Sequence, residues 1–257
     1  ANYRTMIQAF GSLAISFFLF THSALADSRQ SGYQLLSPTN QAMQNDMNLN
    51  PALFAVMDGE ALWQEKSQAN GKSCASCHGD VKQSMRGVFA TYPKIMHQKL
   101  QNMEGQINAC RTRHQHLPAF AYESKPMLAL STLIALQSRG SPIQAAPLGG
   151  VKKEYESGKN LYFQRIGQLN LSCAQCHDDR AGLKLGGSVI PQAHPTGYPI
   201  YRIEWQGMGS LQRRLRNCLS GVRAQTYAYG SSELVQIELY LMHRANGMII
   251  ESPGIRP

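Results

Sequence analysis

The sequence Ser-Cys-Ala-Ser-Cys-His at residues 73–78 decides the fold, and it returns as Ser-Cys-Ala-Gln-Cys-His at residues 172–177. Two cysteines three positions apart, with a histidine directly after the second, are typical of covalent attachment of c-type haem. The spacing follows from the chemistry, because two thiols must reach the vinyl groups on one porphyrin edge while the next imidazole binds the iron. We therefore predict two haem c groups. The attachment and ligand residues are Cys74, Cys77, Cys173, Cys176, His78 and His177.

Two other interpretations exist for cysteine pairs of this kind. CxxC pairs also build zinc ribbons, and six cysteines in an exported chain can form three disulfides. The pairs here are about 100 residues apart, and each carries histidine at the haem-specific position. Haem attachment is therefore favoured over a zinc site or a disulfide framework.

The region around each motif repeats in register. A glycine precedes the first motif cysteine by fifteen residues in both copies, at Gly59 and Gly158. The other matched pairs are Tyr92-Pro93 with Tyr198-Pro199, the lone cysteines Cys110 with Cys218, Ala121-Tyr122 with Ala228-Tyr229, and Gly140 with Gly247. Each copy predicts a helix entering the CxxCH turn, a variable loop, a short helix with the lone cysteine, and a longer terminal helix.

The duplication predicts a mainly α fold of two tandem cytochrome c-type domains with an N-terminal extension. The expected segments are a signal peptide at 1–26, the extension at 27–55, the first domain at 56–140, a linker at 141–150 and the second, catalytic domain at 151–257. The linker prediction rests on the Gly, Pro and Ala content of that connection. The extension is expected to pack on the first domain.

The first 26 residues have the features of a secretory signal. Arg4 precedes an apolar run from Met6 to Phe20, and the small-residue site Ala-Leu-Ala follows at 24–26. The run is shorter than the roughly 20 residues that span a bilayer, and no later segment is long and apolar enough to do so. We therefore expect an exported protein in the periplasm, without a membrane span.

The chain is basic, with a formal net charge of +9, and removal of the single charge of Arg4 leaves +8. A surplus of this kind can attract nucleic acid, an acidic protein surface or an anionic substrate. Export argues against nucleic acid. An acidic protein surface or an anionic substrate therefore remains as the expected partner of this positive charge.

The lone cysteines Cys110 and Cys218 are the leading candidates for the second axial ligand of each iron. Each falls on the apolar side of a short predicted helix, the side that a haem would cover. A thiolate opposite histidine lowers the reduction potential of the iron, whereas methionine raises it. Buried free cysteines and a Cys110–Cys218 disulfide stay open as alternatives. The competing ligands, none matched in the other repeat, are Met85, Met96, Met103, Met208, His97, His114, His116 and His194.

An arginine-rich turn surrounds Cys218. Arg214 lies one helical turn before this cysteine and on the same side, and further arginines stand at positions 213, 216 and 223. Guanidinium groups there would stabilise the thiolate and bind an oxyanion such as a sulfonate. Cys110 lacks an arginine one turn back and has Gln106 there. Cys218 is therefore the better candidate for a catalytic cysteine, although such a turn can also be a solvated helix face.

These residues resemble the SoxA subunit family of the SoxAX cytochromes of bacterial thiosulfate oxidation, also called L-cysteine S-thiosulfotransferase. The resemblance rests on Asn50–Ala52 leading into Gly59–Trp63, on both CxxCH motifs, and on Cys218–Arg223 with its upstream arginines. It covers nearly the whole chain after the signal peptide. With two CxxCH motifs, the chain resembles the dihaem members of the family and not those with only the C-terminal haem.

The resemblance implies two cytochrome c domains, histidine and cysteine ligation at both irons, and a catalytic cysteine at Cys218 that can be found as a persulfide. It also implies that thiosulfate is joined oxidatively to a cysteine of a SoxYZ carrier protein, with electrons passing to the haem of a SoxX partner. Arg214 and Arg244 are implied as anion binders, and His243 is an equally placed neighbour of Arg244.

Three rival functions stay open. A dihaem thiosulfate dehydrogenase also uses histidine and cysteine ligation, but it joins two thiosulfates into tetrathionate. A plain periplasmic dihaem electron carrier would be favoured by methionine ligation. A dihaem peroxidase needs one open or labile iron and no anion-binding cysteine, which fits this sequence less well.

Overall fold

A computed structural model describes residues 27–257, and the predicted signal peptide at 1–26 lies outside the described residues. The α-helices are α1 (Pro38–Asn45), α2 (Leu53–Gln64), α3 (Cys74–His78), α4 (Val81–Ser84), α5 (Met103–His114), α6 (Lys125–Leu136), α7 (Leu148–Phe163), α8 (Cys173–His177), α9 (Leu211–Gly221) and α10 (Ser232–Arg244). The strands are β1 (Lys94–Met96), β2 (Lys99–Gln101), β3 (Lys184–Leu185), β4 (Ser188–Val189), β5 (Ile200–Arg202), β6 (Gly207–Gly209) and β7 (Gly254–Arg256). The predicted mainly α fold is confirmed. No helix of this described part has the length and apolar character needed to cross a membrane.

The two repeats fold alike. In the first, α2 packs across α6 and leads into α3, which carries the first CxxCH motif. In the second, α7 packs across α10 and leads into α8. The lone-cysteine helices α5 and α9 rest against α6 and α10 respectively. The predicted internal duplication is therefore confirmed.

The matched glycines Gly59 and Gly158 lie where these helices cross. A Cβ atom on Gly59 would stand 2.5 Å from the backbone oxygen of Ala129 in α6, and one on Gly158 would overlap the backbone oxygen of Gln236 in α10. Only glycine allows two backbones to approach this closely. The glycine that marks the repeat in the sequence therefore also marks the helix crossing.

Each repeat has a short antiparallel hairpin where the sequence predicted only a variable loop. β1 pairs with β2 before α5, and β5 pairs with β6 before α9. β7 joins β5 in parallel and completes a three-stranded sheet in the order β6-β5-β7. Strands of three residues are too short to show a periodicity, so the sequence pattern did not reveal them.

The N-terminal extension contacts both domains, not the first alone as expected. Gln44 in α1 is buried, and its side-chain oxygen accepts a hydrogen bond from the backbone of Ile255 at 2.9 Å. Asn50 donates to the backbone oxygen of Pro253 at 3.0 Å. From the first domain, Arg139 donates to the backbone oxygen of Gln44 at 2.6 Å. The extension therefore bridges the first domain and strand β7, together with the residues just before β7.

The segment predicted as a linker, residues 141–150, is held against the second domain. The backbone N–H of Ile143 donates to the oxygen of Met248 at 2.8 Å. The buried Ile143 side chain joins Ala90 of the first domain and Met242 of the second in one apolar cluster. Helix α7 already begins at Leu148, within this segment. The two domains therefore share part of their core.

A buried polar network also links the two domains. Glu238 in α10 accepts hydrogen bonds from Gln212 in α9 at 2.5 Å and from Asn102, just before α5, at 3.1 Å. Burial raises the pKa of Glu238 well above its ordinary value, and the nearby Glu104 raises it further. Burial likewise raises the pKa of Glu104 to about 7. Both carboxyl groups therefore stay protonated in the folded protein at pH values where the unfolded chain would have lost those protons.

Replacing Gly158 with alanine should destabilise the protein, because the added methyl group would force α7 and α10 apart. The expected loss is about 1–3 kcal/mol of the free energy of unfolding, the usual cost of overpacking. Gly149, in the first turn of the same helix, has nothing within 4 Å of an added Cβ, so Gly149→Ala is the matched control. Thermal unfolding followed by circular dichroism should show a lower Tm for Gly158→Ala alone. Equal Tm values would show that the crossing tolerates a side chain.

The buried carboxyl groups of Glu104 and Glu238 should make the protein less stable as the pH rises. The pKa of Glu104 rises from an ordinary value of 4.5 to about 7, so the native state binds more protons than the unfolded state between these values. Stability falls with pH wherever the native state binds more protons. Glu238→Gln removes one ionisable group but keeps the accepting oxygen, so its free energy of unfolding should decline less over this range.

Denaturant unfolding at several pH values measures this difference. Glu60→Gln, an exposed change in α2, is the control and should follow the parent protein. If Glu238→Gln declined in parallel with the parent from acid to neutral pH, the buried carboxyl pair would not be the cause.

Candidate haem sites

Each CxxCH motif forms a single helical turn that a capping box closes at its N-terminus. In α3, the Ser73 hydroxyl accepts from the Ser76 N–H at 3.1 Å, and the Ser76 hydroxyl accepts from the Ser73 N–H at 2.9 Å. In α8, Ser172 and Gln175 form the same reciprocal pair at 3.2 and 2.9 Å. Sequence reasoning missed this cap, although serine three residues before glutamine is its usual signature.

The first-domain residues predicted to hold a haem converge on one cavity. Cys74, Cys77 and His78 of α3 line a cavity of about 490 Å³, and Cys110 of α5 lines it as well. Residues three apart on a helix share a face, which explains how both attachment cysteines reach the same space. A cavity of this size accommodates a large ligand. The donor set and the space therefore fit a covalently attached haem whose iron His78 and Cys110 would bind.

Several competing ligands also border this cavity. They are Met85, Met96, Met103 and His114. Cys110 differs from them because a hydrogen bond holds its sulfur in place: the side-chain nitrogen of Gln106 donates to it at 3.2 Å. Burial raises the pKa of the Cys74 thiol to about 11, and the nearby Cys110 adds to the shift. The lone cysteine and the attachment motif are therefore close neighbours in this domain.

In the second domain, a backbone oxygen holds His177. Its Nδ1 lies 2.7 Å from the backbone oxygen of Pro191, which leaves Nε2 free for a metal ion. Burial lowers the pKa of His177 and so favours the neutral imidazole that coordination requires. Burial raises the pKa of the Cys173 thiol to about 12, and the nearby Cys218 adds to the shift. A motif and a lone cysteine are again neighbours.

The alternatives to haem attachment gain no support from the geometry. All six cysteines are unpaired, and Cys110 and Cys218 lie in separate domains. Across residues 27–257, no three His, Cys, Asp or Glu side chains come together as a metal site. The two CxxC pairs therefore do not form a zinc ribbon with one another.

Most arginines around α9 are engaged with aromatic rings. Arg213 lies with its guanidinium carbon 4.1 Å from the ring centre of Trp205, and Arg202 lies 5.1 Å from the same ring. Arg216 lies 4.5 Å from the ring centre of Tyr229. These contacts hold the three guanidinium groups against aromatic rings.

Arg214 differs from these neighbours. Among the described residues its guanidinium group lies over no aromatic ring, and, like Arg213 and Arg216, it is half-buried and takes part in no ion pair. It stands four residues before Cys218, as Gln106 stands four residues before Cys110. Gln106 reaches the sulfur of its cysteine, and the same spacing places Arg214 on the side of α9 that carries Cys218. A cation beside a thiol with no carboxylate partner is suited to binding an anion.

Arg244 makes a different contact from the one that the resemblance implies. Its guanidinium group forms an ion pair with Asp178 at 2.6 Å and lies 4.8 Å from the ring centre of Tyr162. Asp178 is the residue after the second motif, so Arg244 lies beside His177, the predicted axial histidine. His243, its neighbour, packs edge-on against Tyr155 with 4.9 Å between ring centres. A role for Arg244 in anion binding stays a prediction.

A known protein family matches both repeats. The SoxA/TsdA cytochrome c domain family matches residues 58–143 and 157–250. The L-cysteine S-thiosulfotransferase subunit SoxA of Rhodovulum sulfidophilum is 35% identical over 232 residues, which cover 90% of this chain and 81% of that protein. The chain belongs to the SoxA family.

The similarity to SoxA proteins includes the three-dimensional structure. SoxA of Paracoccus pantotrophus is 35% identical over 232 residues, covering 90% of this chain and 80% of that protein. The crystal structure of SoxXA from P. pantotrophus has a TM-score of 0.86 at 35% identity and covers 89% of this chain and 87% of that chain. The cytochrome c-type fold is therefore confirmed, and cytochrome c domains carry covalently bound haem c.

Proposed function

We propose that this chain is the dihaem subunit of an L-cysteine S-thiosulfotransferase, which joins thiosulfate to a cysteine of a SoxYZ-like carrier protein. The observation that carries the proposal is the place of Cys218 in α9, one helical turn after the guanidinium group of Arg214. SoxA relatives that align with 90% of this chain carry the name of that enzyme.

Each domain is proposed to hold one haem c. Both motifs form capped helical turns, both halves match the cytochrome c domain family, and the first-domain ligand set lines a single cavity. When bound, the haems supply one-electron redox chemistry that thiols and carboxylates lack. The proposed attachment residues are Cys74, Cys77, Cys173 and Cys176, and the side chains that would bind the irons are those of His78 and Cys110 in the first domain and of His177 and Cys218 in the second.

In the proposed reaction, Arg214 binds the sulfonate oxygens of thiosulfate. Its planar guanidinium group can bond two oxygens at once, which turns the terminal sulfur of thiosulfate toward Cys218. A bond forms between this sulfur and the Cys218 thiolate. The product is a cysteine S-thiosulfonate, and its formation releases two electrons, which bound haem groups would accept one at a time.

Transfer to the carrier protein completes the cycle. The carrier thiolate attacks the sulfur bonded to Cys218, the bond to Cys218 breaks, and Cys218 leaves as a thiolate. In sum, one thiosulfate and one carrier thiol give the carrier S-thiosulfonate, one proton and two electrons. The electrons pass singly to a partner cytochrome.

A SoxX-like cytochrome is the proposed electron acceptor and the other subunit of a heterodimer. The similar structure from P. pantotrophus is that of SoxXA. The signal-like sequence at residues 1–26 supports a place in the periplasm.

Thiosulfate dehydrogenase is the second candidate, because the matched family includes TsdA as well as SoxA. The two activities differ in product. A dehydrogenase forms tetrathionate from thiosulfate and an electron acceptor alone, whereas the transferase needs the carrier thiol. Product analysis with and without carrier protein separates them.

Cys218→Ala should abolish conjugation of thiosulfate to the carrier, because no sulfur is left to form the intermediate bond. Cys110→Ala is the matched control, since Cys110 has the equivalent place in the first domain, and it should keep a substantial part of the parent rate. The mass of the carrier after incubation with thiosulfate and an electron acceptor measures both. Conjugation by Cys218→Ala at the parent rate would contradict the proposal.

Arg214→Gln should raise the KM for thiosulfate about tenfold or more, because a hydrogen bond to a charged group is worth roughly 1.5–3 kcal/mol. The change gives the second domain the residue that the first has at Gln106. Arg223→Gln removes an exposed arginine from the same region and should leave KM almost unchanged. Steady-state kinetics with saturating carrier tests both. Equal increases in the two variants would mean that general positive charge, not Arg214, attracts thiosulfate.

A further inference from the structure

The N-terminal strap, residues 27–31, lies against the loop that orients His177. The backbone N–H of Gln30 donates to the side-chain oxygen of Gln192 at 2.7 Å. The backbone oxygen of Gln30 accepts from Nδ1 of His194 at 2.8 Å. Both partners belong to the loop that starts at Pro191, whose own backbone oxygen accepts from His177. The strap therefore holds the loop that supplies the acceptor of the axial histidine.

Arg29 attaches the strap to the end of α10. Its guanidinium group donates to the backbone oxygens of Arg244 at 3.0 Å and Asn246 at 2.9 Å, and it pairs with Asp27 at 2.7 Å. The last carbonyl groups of a helix lack partners within the helix and favour a positive charge. The strap is therefore fixed at a point that does not depend on the loop.

Arg244 joins the same arrangement from the other side. Its guanidinium group donates to the Asp178 carboxylate at 2.6 Å and to the backbone oxygen of Gln192 at 3.3 Å. Asp178 also accepts from the hydroxyl of Tyr162 at 2.9 Å. Asp178 follows the axial histidine, and Gln192 follows the residue that binds it. One side chain therefore links the two chain segments on which the position of the imidazole depends.

We infer that the strap and Arg244 are positioning elements for the histidine ligand of the C-terminal haem. They hold the Pro191 carbonyl, and that carbonyl holds the imidazole of His177. Partners of this kind fix the tautomer and orientation of a metal-bound histidine and raise its basicity. The inference rests on the proposed haem at this site. It also gives a role to His194 and Arg244, which the sequence offered as an iron ligand and an anion binder.

The first domain has a different arrangement around its histidine. The ring of His78 has the Trp63 ring as its neighbour, with 5.8 Å between ring centres, and the hydrogen bonds that the strap makes to the domains reach residues 192–251 of the second domain. The N-terminal haem is therefore an internal control for any change made to the strap.

Gln192→Ala tests the inference, because it removes the side chain that the strap holds. We expect the reduction potential of the C-terminal haem to rise, since a histidine with a less fixed acceptor donates less electron density to iron. We also expect its low-spin EPR signal to split or broaden as the imidazole takes more than one orientation. The potential and the signal of the N-terminal haem should not change.

Two further variants serve as controls. Gln192→Glu keeps an oxygen that accepts from Gln30 and should keep the single EPR signal and line shape of the parent protein, although its added charge will lower the potential. Gln168→Ala is an exposed change in the same domain and should have no effect. If Gln192→Ala fails to fold, Arg29→Ala detaches the strap from α10 without touching the loop and is judged by the same readout.

Unchanged potential and line shape in a folded Gln192→Ala or Arg29→Ala protein with both haems attached would overturn the inference. Failure of the proposed function has a different signature. It would show as fewer than two haems per chain in the parent protein, or as a parent protein that conjugates no thiosulfate while the strap variants still shift the C-terminal haem.

Discussion

The proposed haem sites depend on one close contact in each domain, the crossing of the first and last long helices at a glycine. At Gly59 and Gly158 the two backbones meet without room for a side chain. The crossing fixes the ends of α2 and α7, and the CxxCH turns begin ten residues later in both domains. The lone-cysteine helices rest on the other member of the crossing, α6 or α10. Backbone packing therefore positions both the CxxCH turn and the lone-cysteine helix of each domain.

The two domains share the helix crossing and the lone-cysteine helix, but they differ in the residue one turn before the cysteine. In the first domain, Gln106 donates to the sulfur of Cys110 at 3.2 Å. In the second, Arg214 has the same position before Cys218, and no ion pair of the described residues involves it. A neutral amide satisfies the sulfur, whereas a cation without a carboxylate partner attracts an anion. This difference is the physical reason for placing substrate chemistry in the second domain.

The sequence predicted those parts of the structure that leave a local pattern, namely the haem-attachment spacing and the helical repeat. The CxxCH spacing predicted both turns, and the register of Gly59 with Gly158 predicted the duplicated helix pairs. The three-residue hairpins left no periodic mark, and the contact of buried Gln44 with strand β7 joins residues far apart in the chain. Arg244 shows the same limit, because nothing near it in the sequence indicates that Asp178 engages its guanidinium group.

Low-temperature EPR of the oxidised protein tests most directly whether each domain sets a thiolate opposite histidine. The nearness of Cys110 and Cys218 to the CxxCH turns predicts two low-spin ferric signals, both with the narrow spread of g values that thiolate ligation gives. A wide spread of g values at either haem, as methionine or a second histidine opposite the first would produce, would contradict the account of that domain.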